Sequence, residues 1–332
     1  MPVIEASAPA RIDLAGGTLD LWPLHVLHPG SVTVNLAIDR RASCRVQPSR
    51  DGFRVAAPER GFEKRARELA ELLEDPGSAL VGSLLEALRI REPLEIEIAS
   101  GVPFGSGLGG SSALTVALLG ALERFGARPS PADRVDFVRD AETRVLGKPA
   151  GVQDYYPPLE GGLHRLWFET GSTRAERDEV DTQEWERHLT LFDTGTAHSS
   201  GMNNWEVFRA RLEGDPAVTE GLEGVRRAAA RMAEASAARD FPAMGRALGQ
   251  EWEARRRLAP VVSTALIERA IAAARQTGAW AGKACGAGGG GCVVFLSPAD
   301  RTAAVRRALA KLGEGRVLPV RAENRGLAVG GV

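Results

Sequence analysis

Pro103-Phe-Gly-Ser-Gly-Leu-Gly-Gly-Ser-Ser-Ala113 stands between a strictly alternating segment, Leu94-Glu-Ile-Glu-Ile-Ala99, and an apolar run from Ser111 to Phe125. The alternation reads as a strand and the run as a helix. Glycines at 105, 107, 109 and 110 let backbone N–H groups crowd around an anion. Ser111 and Ser112 add hydroxyls, and the helix start adds the positive end of its dipole. Pro103, Gly105, Ser106, Gly107, Leu108, Gly109, Gly110, Ser111 and Ser112 therefore form a candidate phosphate cradle. The plainer reading is a glycine turn capped by serine. Gly105-x-Gly107-x-x-Gly110 also satisfies a dinucleotide fingerprint, but that motif expects a second strand ending in Asp or Glu about 20 residues on. Arg128-Pro-Ser-Pro131 starts another helix instead, which counts against an NAD-dependent dehydrogenase. Gly278 to Ala284 is one residue short of a P-loop and lacks its Ser or Thr.

Outward from this segment, Val3–Ser7, Arg11–Leu14, Ser31–Ile38 and Arg40–Val46 read as strands, with a tight turn at Asp39. Phe62–Leu73, Ser78–Leu88 and Pro131–Leu146 read as helices, the last opened by Ser130-Pro131. Beyond Glu160 come a strand at Leu189–Phe192, long helices over 203–275, a glycine-bounded strand pair over 282–296, a helix at Pro298–Leu312 and a strand at Arg316–Val320. Strands and helices mix without strict alternation, which indicates an α+β architecture. The expected division is 1–165 and 166–332.

The chain has 332 residues, 44% hydrophobic and 26% charged, enough for two cored domains. With 42 basic and 43 acidic residues the formal charge is −1, so no general footprint for nucleic acid or an anionic membrane exists. Three cysteines match neither a zinc pattern nor a disulfide framework, and a reducing cytoplasm is the expected compartment. The start shows no export signal, and no stretch reaches the length of a membrane span, so a soluble protein is expected.

Three further segments bear on function: Pro9-Ala-Arg11-Ile-Asp-Leu-Ala-Gly16-Gly17-Thr18-Leu-Asp20, Glu142 to Asp154 through Gly151-Val-Gln-Asp, and Lys283-Ala-Cys-Gly286-Ala-Gly-Gly-Gly-Gly291-Cys292. Together with Pro103 to Ala113 they resemble, in order and spacing, the motifs of the GHMP small-molecule kinase superfamily. Within it, Ala15-Gly-Gly, Gly107-Leu-Gly-Gly-Ser-Ser-Ala, Gly151-Val-Gln-Asp and Thr194-Gly195 are most similar to the sugar-1-kinase branch that includes the heptose 7-phosphate kinases. Two departures stand out. Gly16-Gly17-Thr18-Leu19-Asp20 replaces three glycines and Thr-Asp, and His198 replaces the usual arginine after Thr-Gly.

The resemblance implies a two-domain fold, a ribosomal S5 domain 2-like N-terminal half and a ferredoxin-like C-terminal half. It also implies ATP and Mg2+ as cofactors and a sugar or sugar phosphate as acceptor, phosphorylated at its anomeric hydroxyl. Mevalonate or a polyol is the alternative acceptor, and a sugar or nucleotide sensor without catalysis is a further one. By resemblance, Asp154 orients or deprotonates the hydroxyl and Arg11 pairs with it, while Ser111 and Glu142 hold magnesium, with Ser112 as the other candidate serine. Gly16, Gly17, Thr18, Asp20, Asn35, Gln153, Thr194, Gly195, His198, Gly288 and Gly289 are the implied acceptor-side residues.

Each position also has an ordinary structural reading. Asp154 and Asp20 suit turns, Glu142 an exposed helix face, His198 a surface or helix cap, and Gly286–Gly291 a hairpin. Lys283 is either near phosphates or an exposed lysine, and Cys285, with no base beside it, reads as buried rather than catalytic.

Overall fold

The computed structural model describes residues 3–126, 134–197 and 200–331, the side chains of 200–203 excepted. The expected helix start at Ser130-Pro131 lies outside the described residues. The first half runs β1 (Ile4–Ala15), α1 (Leu24–Leu27), β2 (Val32–Pro48), β3 (Phe53–Ala57), β4 (Phe62–Ala66), α2 (Leu69–Leu73), α3 (Ala79–Ala87), β5 (Leu94–Ser100), α4 (Gly110–Glu123), α5 (Arg134–Leu146), α6 (Tyr156–Glu160), β6 (Leu163–Glu169) and β7 (Ser172–Asp178). The second runs α7 (Thr182–His188), β8 (Leu189–Asp193), α8 (Ser200–Leu212), α9 (Pro216–Ala237), α10 (Phe241–Arg255), α11 (Ala265–Gln276), β9 (Ala281–Ala284), β10 (Cys292–Leu296), α12 (Thr302–Ala310), β11 (Arg316–Leu318) and β12 (Ala328–Gly331). No helix among the described residues is long and apolar enough to cross a membrane.

The long strand β2 organises an eight-stranded sheet. It pairs with β1 along most of its length, with β5 through its second half and with β6 through its first. Parallel pairing occurs only between β3 and β5 among the pairs described. The expected turn at Asp39 is absent. The β1–β2 register jumps from Pro9↔Arg41 to Ala10↔Ile38, so Asp39 and Arg40 bulge out of a continuous strand. A bulge bends a strand without reversing it, and the Asp39 amide donates to the Arg321 carbonyl.

The expected helix over Phe62–Leu73 is also corrected. Phe62-Glu-Lys-Arg-Ala66 pairs antiparallel with β3, with Arg54 and Arg65 both donating to Glu63. Exposure alternates along it, with Glu63 and Arg65 outward and Phe62, Lys64 and Ala66 more covered, and the leucines that suggested a helix belong only to the short α2. The expected break after residue 165 falls inside β6, whose pairing with β2 and β7 keeps residues through Asp178 in the first sheet. At the far end of the chain β12 returns to the outer edge of β1.

Helix α4 is the core of the first half. Val116, Leu118, Leu119 and Leu122 are fully buried, within a cluster that includes Ile96, Leu84 and Val138. Each such side chain contributes about 1.5–3 kcal/mol on leaving water. That packing fixes the helix start, and with it the glycine loop. In the second half β11-β8-β10-β9 form an antiparallel sheet. One continuous apolar cluster joins Ile12, Leu14 and Leu36 of the first sheet to Leu191, Val294 and Leu248 of the second half. The segments singled out in the sequence gather along this seam.

Candidate active site

Helix α4 opens at Gly110 with Gly109 at its N-cap, φ 69°, and no side chain capping it. A residue with a Cβ is strained at that angle. Ser111 and Ser112 lie inside the first turn rather than before it, so the simple serine-cap reading fails. Uncapped N–H groups at a helix start suit an anion. The serine hydroxyls turn instead to Glu142 on α5. Ser111 Oγ donates to Oε1 at 2.8 Å, Ser112 Oγ to Oε2 at 3.1 Å, and Tyr155 Oη to Oε2 at 2.6 Å.

Glu142 is buried, which overturns its reading as an exposed helix residue. Burial raises its carboxyl, Asp154 nearby adds to this, and the three hydroxyl donors oppose it. Ser111 is exposed and Ser112 buried. A carboxylate beside an outward hydroxyl is the hard oxygen donor set that Mg2+ takes alongside phosphate oxygens. These residues therefore fit the ion, with Ser111 the better-placed serine.

Arg11 on β1 ties the glycine loop to Asp154. Its backbone N–H donates to the Leu108 carbonyl at 3.0 Å, and Nη1 donates to the Gly107 carbonyl at 2.5 Å. Nε donates to Asp154 Oδ1 at 2.8 Å, and Nη2 lies 2.7 Å from the same oxygen. Arg11 is buried while the Asp154 side chain keeps 30% of its exposure, so the ion pair is anchored on one side and open on the other. Burial works against the guanidinium charge, but Asp154 and Asp13 outweigh it and hold the Arg11 pKa above its usual value.

Asp20 approaches from the loop after β1. Its Oδ2 accepts from the Gln153 N–H at 3.2 Å, and Oδ1 accepts from Gln153 Nε2 at 3.4 Å. A Cβ on Gly151 would lie 1.7 Å from Asp20 Oδ2, so glycine is required for the two segments to meet. Burial, then the nearby Asp154 charge, lifts the Asp20 carboxyl to about 7, against the Gln153 N–H.

The late glycine loop closes the other side. The Cys292 amide donates to the Ser106 carbonyl at 2.8 Å, and the Gly291 carbonyl accepts from the Thr194 amide and hydroxyl. Gly288 and Gly289 are turned onto Val262. Gly195 is exposed, and His198 lies outside the described residues. Asn35 is fully buried in β2 opposite Asp13, its Nδ2 donating to Thr33 at 3.3 Å and its Oδ1 without a protein partner among the described residues.

Both readings of Lys283 give way. It is fully buried on β9, with Nζ 2.9 Å from Asp13 Oδ2 and 3.3 Å from Glu251 Oε1. Asp13, Glu251 and Arg255 are missing from the sequence reading altogether. Burial would raise the Asp13 carboxyl, but Lys283, Arg255 and Arg11 together hold it below the usual range. Cys285 is buried, which pushes its thiol up to about 12 and leaves it inert at neutral pH. Beside the cradle the exposed Phe104 ring carries the Arg60 guanidinium 4.7 Å from its centroid.

The family described as GHMP kinases N terminal domain matches residues 78–162, and GHMP kinases C terminal matches residues 232–315. A D-glycero-alpha-D-manno-heptose 7-phosphate kinase of Campylobacter jejuni is 26% identical over 308 residues, spanning 89% of this chain and 90% of its own length. A mevalonate kinase of Thermococcus sibiricus is 26% identical over 349 residues, spanning 98% of each. A crystal structure of a D-glycero-D-manno-heptose 1-phosphate kinase from Bacteroides thetaiotaomicron superposes with a TM-score of 0.77 at 23% identity, covering 99% of both chains, which establishes likeness of fold.

Proposed function

The chain belongs to the GHMP kinases, ATP-dependent enzymes of two α+β domains, and from that premise we propose that it phosphorylates the anomeric hydroxyl of a sugar or sugar phosphate, with a heptose 7-phosphate as the favoured acceptor. The observation that carries the reading is the Arg11–Asp154 pair, fixed at the lip of the glycine loop and flanked by the Asp20–Gln153 contact. Full-length similarity to the Campylobacter heptose 7-phosphate kinase supports the acceptor class.

In this reading the amides of Gly107 to Ser112 bind the nucleotide phosphates. Asp20 and Gln153 hold acceptor hydroxyls, Asp20 accepting up to two hydrogen bonds when ionised. Asp154 accepts the proton of the attacking hydroxyl as its oxygen bonds to the γ-phosphorus and the bond to the bridging oxygen breaks, releasing ADP. Arg11 keeps Asp154 oriented and offsets charge near the reacting atoms. Ser111 and Glu142 would hold Mg2+, which when bound neutralises charge on the phosphates.

The test is ADP release from MgATP against D-glycero-D-manno-heptose 7-phosphate, free hexoses and heptoses, mevalonate and polyols, with phosphorus NMR of any product. The expected result is a sugar acceptor whose new phosphomonoester couples to the anomeric proton. Turnover of mevalonate alone, or phosphate on another carbon, overturns the acceptor assignment.

A further inference from the structure

Four buried charged side chains alternate in sign beneath the acceptor loop. Asp13 on β1, Lys283 on β9, and Glu251 and Arg255 on α10 are each almost completely enclosed. Lys283 Nζ bridges Asp13 and Glu251, and Glu251 Oε1 accepts from Arg255 Nε at 2.8 Å and Nη2 at 2.6 Å. Stability alone does not call for such a set, since apolar side chains of equal volume pack as well.

The rest of the Arg255 guanidinium shows where the chain of charges ends. Nη2 donates to the Gly17 carbonyl at 2.7 Å, and Nη1 donates to Thr18 Oγ1 at 3.2 Å. Thr18 has φ 79°, a left-handed conformation that a β-branched residue adopts only under constraint. Its hydroxyl also donates to Asn204 Oδ1 at 2.8 Å on α8. Two residues further on is Asp20, against Gln153 and Gly151. A strained turn persists when its surroundings over-determine it, and here a planar, multiply donating side chain supplies the constraint.

We propose that Arg255 is the positioning residue for acceptor binding: it clamps the Gly17–Thr18 turn that presents Asp20, and the Asp13–Lys283–Glu251 chain fixes the clamp from behind. The proposal rests on the kinase reading above and deepens it, placing a determinant of acceptor affinity on a helix that carries none of the recognised motifs.

Arg255→Lys tests it. Lysine keeps the buried positive charge but cannot bridge Glu251, Gly17 and Thr18 together. With D-glycero-D-manno-heptose 7-phosphate as the probe, the acceptor KM rises about tenfold or more while the ATP KM stays within about twofold. In the protein without acceptor, hydrogen exchange quickens over residues 16–21, whose Leu19 and Leu21 amides donate to Gly16 and Thr18, and stays unchanged over α4. An unaltered acceptor KM, or both KM values shifting together with faster exchange throughout, overturns the proposal. Should the wild-type protein turn over no acceptor, the kinase reading fails and exchange decides the clamp by itself. Selective quickening at 16–21 then supports it, and unchanged exchange refutes it.

Discussion

Replacing Asp20 by asparagine makes the protein more stable, and the gain grows with pH. The carboxyl rises from 3.8 to about 7 on folding, because burial and the neighbouring Asp154 disfavour its charge. Between those values the folded chain holds a proton that the unfolded chain releases. The stabilisation is therefore full below about pH 4 and is lost as pH rises through about 7. Each unit is worth 1.36 kcal/mol, so some three units amount to about 4 kcal/mol above pH 8. Asparagine mimics the neutral acid at every pH, and other groups titrate alike in the two proteins. The gap between them should widen from under about 1 kcal/mol at pH 4 to about 4 kcal/mol at pH 9. At about 2.1 cal/mol/K per residue, a chain of 332 residues has an unfolding entropy near 0.7 kcal/mol/K, and the gap at pH 9 corresponds to ~6 °C in Tm. Calorimetric melts of both proteins at half-unit pH steps provide the assay. A gap independent of pH, or one that shrinks as pH rises, would refute the burial of an ionisable Asp20 against Asp154.

Three other outcomes follow from the same contacts. Lys283→Met strands the Asp13 and Glu251 carboxylates in the core and lowers stability by about 3–5 kcal/mol; a melt within a degree of wild type would contradict the ionic network. Gly151→Ala drives a Cβ onto Asp20 Oδ2, so acceptor KM should rise with little change in ATP KM, and a larger effect on ATP would place the contact elsewhere. Glu142→Gln keeps the size of the side chain but removes the charge that Ser111, Ser112 and Tyr155 surround. Its half-saturating Mg2+ concentration should increase severalfold in steady-state assays, and an unchanged requirement would remove Glu142 from the metal site.

The cradle is legible in sequence because its chemistry is local: glycines and serines next to one another, between a strand and a helix, state both the backbone freedom and the donors. Arg11 and Asp154 stand 143 positions apart, and only the ordered set of motifs links them before the structure does. Asp13, Glu251, Arg255 and Lys283 escape for a different reason. A charged residue ordinarily reads as solvated, and here the four are enclosed only because β1, β9 and α10, distant in sequence, bring them together. The same limit explains β4, where cross-strand pairing with β3 overrides a helix-like run, and β2, where Asp39 marks a bulge in one continuous strand instead of a reversal between two.

The most direct measurement is MgATP turnover by Asp154→Asn beside wild type, with nucleotide affinity determined for both by titration. Removing a group that takes the proton of the attacking hydroxyl lowers kcat by about 100-fold or more. Nucleotide affinity should persist, since the glycine loop and the start of α4 remain intact. Near-normal turnover by the variant would contradict the assignment of Asp154 as the group that activates the acceptor.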